Sequence, residues 1–198
     1  MPPSARSRPT YDAKSIMKIA FSLFRKRGYE ATSIEQIAAH AGITKAAIYY
    51  HVAGKEVILE QGVTRALDEL FNVLLDSPME AGNTSPMDRL ESVLRAAVEV
   101  ELDHLDEVSV LLRLRGNTPL EREILRRRHK FDDAIAGLVQ SAVQSGEARN
   151  DLDPRLAARL ILGMANSLTE WLRPGTDMPR EQLVDAVVKI ARQGLALS

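Results

Sequence analysis

The segment 44–51, TKAAIYYH, puts hydrogen-bonding side chains on a short helix that gives little to a core. Thr44 is a good N-cap, and Ile48 is the one plainly apolar core residue. Lys45, Tyr49, Tyr50 and His51 share the remaining surface with Ala46 and Ala47. The chemistry open to such a set is recognition, not bond-making. A lysine reaches guanine or a phosphate oxygen, tyrosine hydroxyls suit phosphate oxygens, and alanine methyls meet thymine methyls. Small residues near the helix start let its backbone sink into a major groove. The plainer alternative is a surface helix whose tyrosines lie across a neighbouring helix.

The elements that must hold this helix stand on either side of it. Ile34, Ile37, Ala38 and Ala41 fall at i, i+3, i+4 and i+7, one apolar stripe on a first helix of about two turns. Ser33 with Gln36, and Thr32 with Glu35, both have the spacing of a capping box, and either pair closes the helix start. Gly42 follows the stripe and tolerates the positive φ that a reversal needs. Two short helices about a glycine corner are the way a protein presents one helix edge-on to a DNA groove. Upstream, a helix over 11–27 carries Ile16, Ala20, Leu23 and Phe24, and Gly28 ends it. Downstream, the Ala53-Gly54 turn leads into a long helix to about residue 76. Its first backbone N–H groups, with Lys55, suit a phosphate. The expected DNA contacts are therefore Thr32, Ser33, Thr44, Lys45, Ala46, Ala47, Tyr49, Tyr50, His51 and Lys55. Arg6 and Arg8, in an N-terminal arm, either enter a minor groove or belong to an ordinary solvated tail.

Residues 10–70 resemble the N-terminal domain of the TetR family of bacterial transcription regulators. The matching residues are Ala20, Leu23, Phe24, Gly28, Thr32, Ile34, Ile37, Ala38, Ala41, Gly42, Ile43, Ile48, Tyr49, His51, Lys55 and Leu59. Two positions depart. Val52 stands where many members carry Phe, and Glu35 where some place a base-reading Arg. The resemblance implies an all-α fold of about nine helices. A helix-turn-helix domain over 10–70 precedes an effector-binding and dimerisation domain over 71–198.

Composition agrees with a regulator. The net charge of −1 hides an uneven distribution. Residues 1–65 hold 10 Lys and Arg against 5 Asp and Glu, net +5, whereas the remainder holds 16 against 22, net −6. A basic head on an acidic body concentrates positive potential where DNA would lie. The absence of cysteine excludes thiolate metal sites and thiol catalysis and fits a reducing cytoplasm. No apolar run approaches the ~18 residues of a membrane span. The start MPPSARSRPT has no apolar core of a signal peptide, so a cytoplasmic protein is expected. There is no glycine-rich phosphate loop, no HExxH and no GxSxG. Neither an enzyme, a cofactor nor a metal site is expected; His104 beside Asp103 or Asp106 is too little for a metal.

Beyond a turn-rich break at 77–86, the pattern predicts helices over 87–105, 118–145, 153–172 and 179–197, with a short apolar piece at 108–114, and no sheet. Thr118-Pro119-Leu120-Glu121 is a strong helix start. Leu156, Leu160, Gly163, Met164 and Ser167 lie along one side of the penultimate helix, and Leu183, Val187, Ile190 and Ala191 along the last. The family resemblance implies a homodimer through these two helices; otherwise the stripes bury only against the chain's own core. It also implies an effector cavity, for which Phe71, Leu74, Val98, Glu101, Leu102, His104, Leu111, Phe131, Ile135, Asn166, Glu170 and Trp171 are candidates, each also readable as core or surface. The run 126–130, RRRHK, is either a solvated face or an anchor for a phosphate-bearing ligand. Residues 153–175, with Trp171 before Arg173-Pro174-Gly175, resemble regulators of fatty-acid and steroid catabolism, which implies acyl-CoA effectors.

The resulting expectation is a homodimeric repressor, released from a palindromic double-stranded operator by a small hydrophobic effector such as an acyl-CoA. An activator of the same fold, or a helical protein-interaction module without DNA binding, is the alternative.

Overall fold

The computed structural model describes residues 12–76, 85–172 and 177–197. The expectations on Arg6, Arg8, the break at 77–84 and the turn 173–175 lie outside the described residues. Every regular element among the described residues is helical: α1 (Ala13–Arg27), α2 (Ile34–Ala41), α3 (Lys45–His51), α4 (Lys55–Asp76), α5 (Pro86–Asp103), α6 (Leu105–Arg113), α7 (Pro119–Gln144), α8 (Pro154–Asn166), α9 (Leu168–Trp171) and α10 (Arg180–Leu195). They form two compact units, 1–62 and 63–198. The division falls inside α4, eight residues before the boundary at 70 expected from the sequence.

In the first unit, α1 buries Ile16, Ala20, Phe21, Leu23 and Phe24. Phe21 and Phe24 meet edge to face at 5.5 Å, and Phe24 meets Tyr29 the same way at 5.1 Å. Gly62, buried in α4, is where Phe21 comes closest. A Cβ there would lie 2.1 Å from Phe21 Cε2. Helix propensity favours alanine over glycine by about 1 kcal/mol, but overpacking a closed core costs about 1–3 kcal/mol or more. Gly62→Ala is therefore expected to lower stability, read as a drop in denaturant midpoint with an unchanged slope.

In the second unit, three helices start alike. Ser85, Thr118 and Asp153 are N-caps accepting from the backbone N–H of Asp88, Glu121 and Leu156, and each is followed by proline at the first helical position. The proline's missing N–H is one that the helix start leaves unpaired in any case. α7 packs between α5 and α8, and α10 closes against α5. Leu90, Val93, Ile135, Val139, Ala142, Val184 and Val188 are among the buried residues of the shared core.

Two expectations are corrected here. The apolar piece at 108–114 belongs to a helix, α6, which begins at Leu105 after a kink at His104. The helix expected over 153–172 is interrupted at Ser167. There the Ser167 hydroxyl donates to Met164 O at 2.7 Å and the Thr169 hydroxyl to Asn166 O at 2.9 Å. Side-chain hydroxyls that bond back to the helix carbonyls bend and loosen it.

Candidate functional site

Capping builds the corner of the helix-turn-helix. Ser33 accepts from Gln36 N, and the Gln36 side chain accepts from Ser33 N, so this pair is the capping box. Thr32 does other work. It is 1% exposed and its hydroxyl donates to Gly28 O at 2.8 Å. Burial takes it out of the expected contact set and makes it a brace between the end of α1 and the start of α2. Gly42 has φ 66°, ψ 28°. Its N–H reaches Ala39 O, and the Ile43 N–H reaches Ala38 O. These two bonds satisfy the last carbonyls of α2 and turn the chain sharply into α3. Thr44 then caps α3 by accepting from Ala47 N at 3.2 Å.

α3 buries only Ile48. Tyr49 and His51 are exposed and Tyr50 is 87% exposed, so the tyrosines are not spread across a neighbouring helix. Lys45 is exposed and paired with Glu35 of α2. The bond to Lys45 holds the Glu35 carboxyl down to about 2, and the same contact raises Lys45. Both groups stand in water, so the pair contributes little to stability. The pair holds the ammonium on the α2 side. Lys55 is placed differently from the expectation. Its Nζ donates to Tyr29 O at 3.0 Å and sits 4.3 Å over the Tyr29 ring. It ties the start of α4 to the turn before α2, so its removal would disturb the fold as well as any phosphate contact.

The second unit has an exposed apolar face. Leu156 (51% exposed), Leu160 (62%), Gly163 and Ser167 run along the outer side of α8. The expected α10 register is only partly kept. Leu183, Val187 and Ala191 are buried in the chain's own core, and Met164 packs against it. Ile190, 58% exposed, points outward, one helical turn from the exposed Ala186 and Gly194. A 3.6-residue period puts 183, 187 and 191 on one stripe and 186, 190 and 194 on another. Hydropathy alone favoured the richer one, which the core had already taken.

A cavity of about 50 Å³ lies among the second-unit helices. Of the expected lining, Val98, Glu101, Leu111, Phe131 and Asn166 border it, joined by Leu67, Leu94, Val108, Arg128, Asp132 and Leu162. The other candidates stand elsewhere. Phe71 stacks edge-on against Phe131 at 6.1 Å, Ile135 is core, and Leu74 and Leu102 pack around that core. His104 is buried against Glu69, Nε2 to Oε2 at 2.9 Å, and this bond lowers the Glu69 carboxyl. Glu170 pairs with Arg113 at 3.2 Å, and Trp171 is exposed. Glu101 is the chemically unusual lining residue. Burial pushes its carboxyl up to about 7. Asp132 is raised by burial as well. Arg126 pairs with Glu123 and Arg127 with Asp68, leaving Arg128 as the one member of the basic run that borders the cavity. The cue in the sequence was the spacing: Arg128 and Asp132 stand four apart, opposite charges on one helix face.

A capped helix-turn-helix with an exposed reading helix, followed in the chain by a helical unit with its own cavity, defines a DNA-binding regulator. The comparisons agree. Residues 16–61 match the family described as bacterial regulatory proteins, tetR family, and residues 83–195 match the tetracyclin repressor-like C-terminal domain. The chain belongs to the TetR family of transcriptional regulators. It is similar to a TetR-family member of Streptomyces coelicolor A3 whose crystal structure shares 41% identity, with a TM-score of 0.82 over 98% of this chain and 94% of that one. The transcriptional repressor KstR2 of Mycolicibacterium smegmatis is 28% identical across the whole of this chain and 97% of its own length. AibR, solved with isovaleryl coenzyme A and operator DNA, is 28% identical with a TM-score of 0.72, covering 90% of this chain and 96% of its own. The protein is thus a DNA-binding regulator and not an enzyme. No helix among the described residues is long and apolar enough to cross a membrane.

Proposed function

We propose that the protein is a cytoplasmic homodimeric repressor whose α3 helices read a palindromic operator and whose second unit takes a small effector that weakens that grip. The observation that carries the reading is the exposure of Lys45, Tyr49, Tyr50 and His51 on a helix that spends only Ile48 on the core. The similarity to KstR2, a repressor, supports the sign of regulation. The similarity to AibR supports an acyl-CoA as the first effector class to test. α4 belongs to both units and is the continuous element through which an effector and an operator would oppose each other, commonly by about 1–3 kcal/mol.

Selection of DNA fragments by the purified protein tests the reading: a palindromic consensus with half-sites about one helical turn apart is expected. Affinity for the selected site is expected to fall steeply with salt, with a log–log slope of about −0.9 per phosphate neutralised. Fragments without a shared sequence, together with a flat salt dependence, would return the chain to a protein-interaction module.

The outward stripe of α8 with Ile190 is the proposed dimer face. Leu160→Glu puts a charge at its centre without touching the buried core. The expected result is a monomer by sedimentation with a near-native melting temperature and operator binding weakened by at least tenfold. A dimer that persists in this variant places the interface elsewhere.

A further inference from the structure

The cavity among α4, α5, α6, α7 and α8 contains a carboxyl oxygen that the fold leaves unused. Glu101 is 5% exposed, and its Oε1 has no hydrogen-bond partner among the described residues. Most of the wall around it is apolar, and its other polar members are Arg128, Asp132 and Asn166. Arg128 and Asp132 are placed to offset each other on α7. His104, three residues after Glu101, is committed to Glu69. A buried acceptor left unpaired costs stability, and one at a cavity wall is open to a partner from outside. At about 50 Å³ the cavity holds about four water-sized groups, enough for the end of a ligand but not for a nucleotide.

We propose that Glu101 recognises the effector, and that the effector's buried end is an apolar chain tipped with a hydrogen-bond donor, a hydroxyl or an ammonium, which Glu101 Oε1 accepts. This rests on the reading of the cavity as the effector site. Above pH 7, where Glu101 is ionised, a carboxylate tip meets repulsion from it. An ether tip leaves Oε1 buried and unpaired, the situation in which a hydrogen-bonding site discriminates most strongly.

Thermal shift of the full chain at pH 8.5, where Glu101 is ionised and the amine still protonated, tests this with four probes of similar size, seven or eight non-hydrogen atoms each: 1-hexanol, n-hexylamine, hexyl methyl ether and hexanoate. For the wild type, hexanol, hexylamine or both are expected to raise the melting temperature by about 2–4 °C, with little or no shift from the ether or hexanoate. In Glu101→Leu, hexanol and the ether should become equal. In Glu101→Gln, whose amide oxygen still accepts, any hexanol response should remain and any hexylamine response should go. If the ether or hexanoate matches the donor-tipped probes in the wild type, or the preference survives in both variants, Glu101 is not the recognition residue, while the cavity still binds ligands and the effector reading stands. If none of the four probes shifts the wild type, the donor-tipped ligand and the cavity's role fall together. Operator binding, measured separately, is untouched by either result.

Discussion

Replacing Tyr49 and Tyr50 together by alanine is expected to lower operator affinity by roughly a thousandfold while leaving the fold intact. Both rings stand in solvent on α3, with Tyr50 the most exposed large hydrophobic residue of the described chain. A hydroxyl donated to a charged oxygen is worth about 1.5–3 kcal/mol when enclosed, and about 1 kcal/mol net is taken for a contact that stays exposed to water. Two such contacts in each of two protomers sum to about 4 kcal/mol, or three decades in dissociation constant. Substitutions at exposed sites usually stay within about 0.5 kcal/mol of neutral for folding, so the melting temperature is expected to stay near the wild-type value. The paired phenylalanine variant separates hydroxyl from ring: it should share most of the loss if phosphates are the partners. Gel-shift titration and a thermal melt on the same preparations decide the matter. An alanine variant that binds the operator as tightly as the wild type removes α3 as the reading helix. Lys55→Ala is a poorer probe, because its ammonium already braces the Tyr29 carbonyl.

The second large effect is on stability and depends on pH. In the unfolded chain the Glu101 carboxyl ionises near its ordinary value of 4.5, whereas burial in the folded protein keeps the proton on until about 7. Between these two values the unfolded chain has released a proton that the folded chain retains. Stability therefore falls as pH rises through that window, and this contribution levels off above it. The displacement corresponds to about 3 kcal/mol in order of magnitude. Burial raises Glu107 and Asp132 too, so the wild type tilts in the same direction for more than one reason. The difference between Glu101→Gln and the wild type isolates Glu101. That difference is expected to shift by about 3 kcal/mol in favour of the variant between pH 4.5 and 7.5, measured from urea midpoints. A pH-independent difference would mean that water or a neighbouring group solvates the carboxyl in the folded state.

The DNA-reading corner was almost wholly legible from residue types. Ser33, Gln36, Gly42 and Thr44 act within three or four residues of themselves, through caps and one left-handed glycine, and such local bonds form wherever the chain places them. The stripe Ile34, Ile37, Ala38 and Ala41 left no freedom about which side of α2 faces inward. The three Pro-led helix starts in the second unit follow the same logic. Two capping pairs fitted the start of α2 equally by spacing. The choice fell to Ser33 because Thr32 is drawn inward to the Gly28 carbonyl, a contact between two elements that no spacing rule contains.

The rest depended on packing between distant segments. On α10 both the 183–187–191 stripe and the 186–190–194 stripe are apolar enough to be buried, and only the fit against α5 and α8 settles which one turns inward. In the same way, Glu170 and His104 read as polar intrusions near a pocket until Arg113 and Glu69 are found to hold them. Glu101 keeps its ambiguity in the sequence, because a glutamate on an apolar helix face is charged or neutral, useful or merely tolerated, according to what surrounds it. Caps, turns and helical stripes are properties of neighbouring residues, so they can be read from order and type alone. Burial, pairing and the shape of an enclosed space arise when several helices meet, and their energies belong to that meeting and to no single stretch of chain.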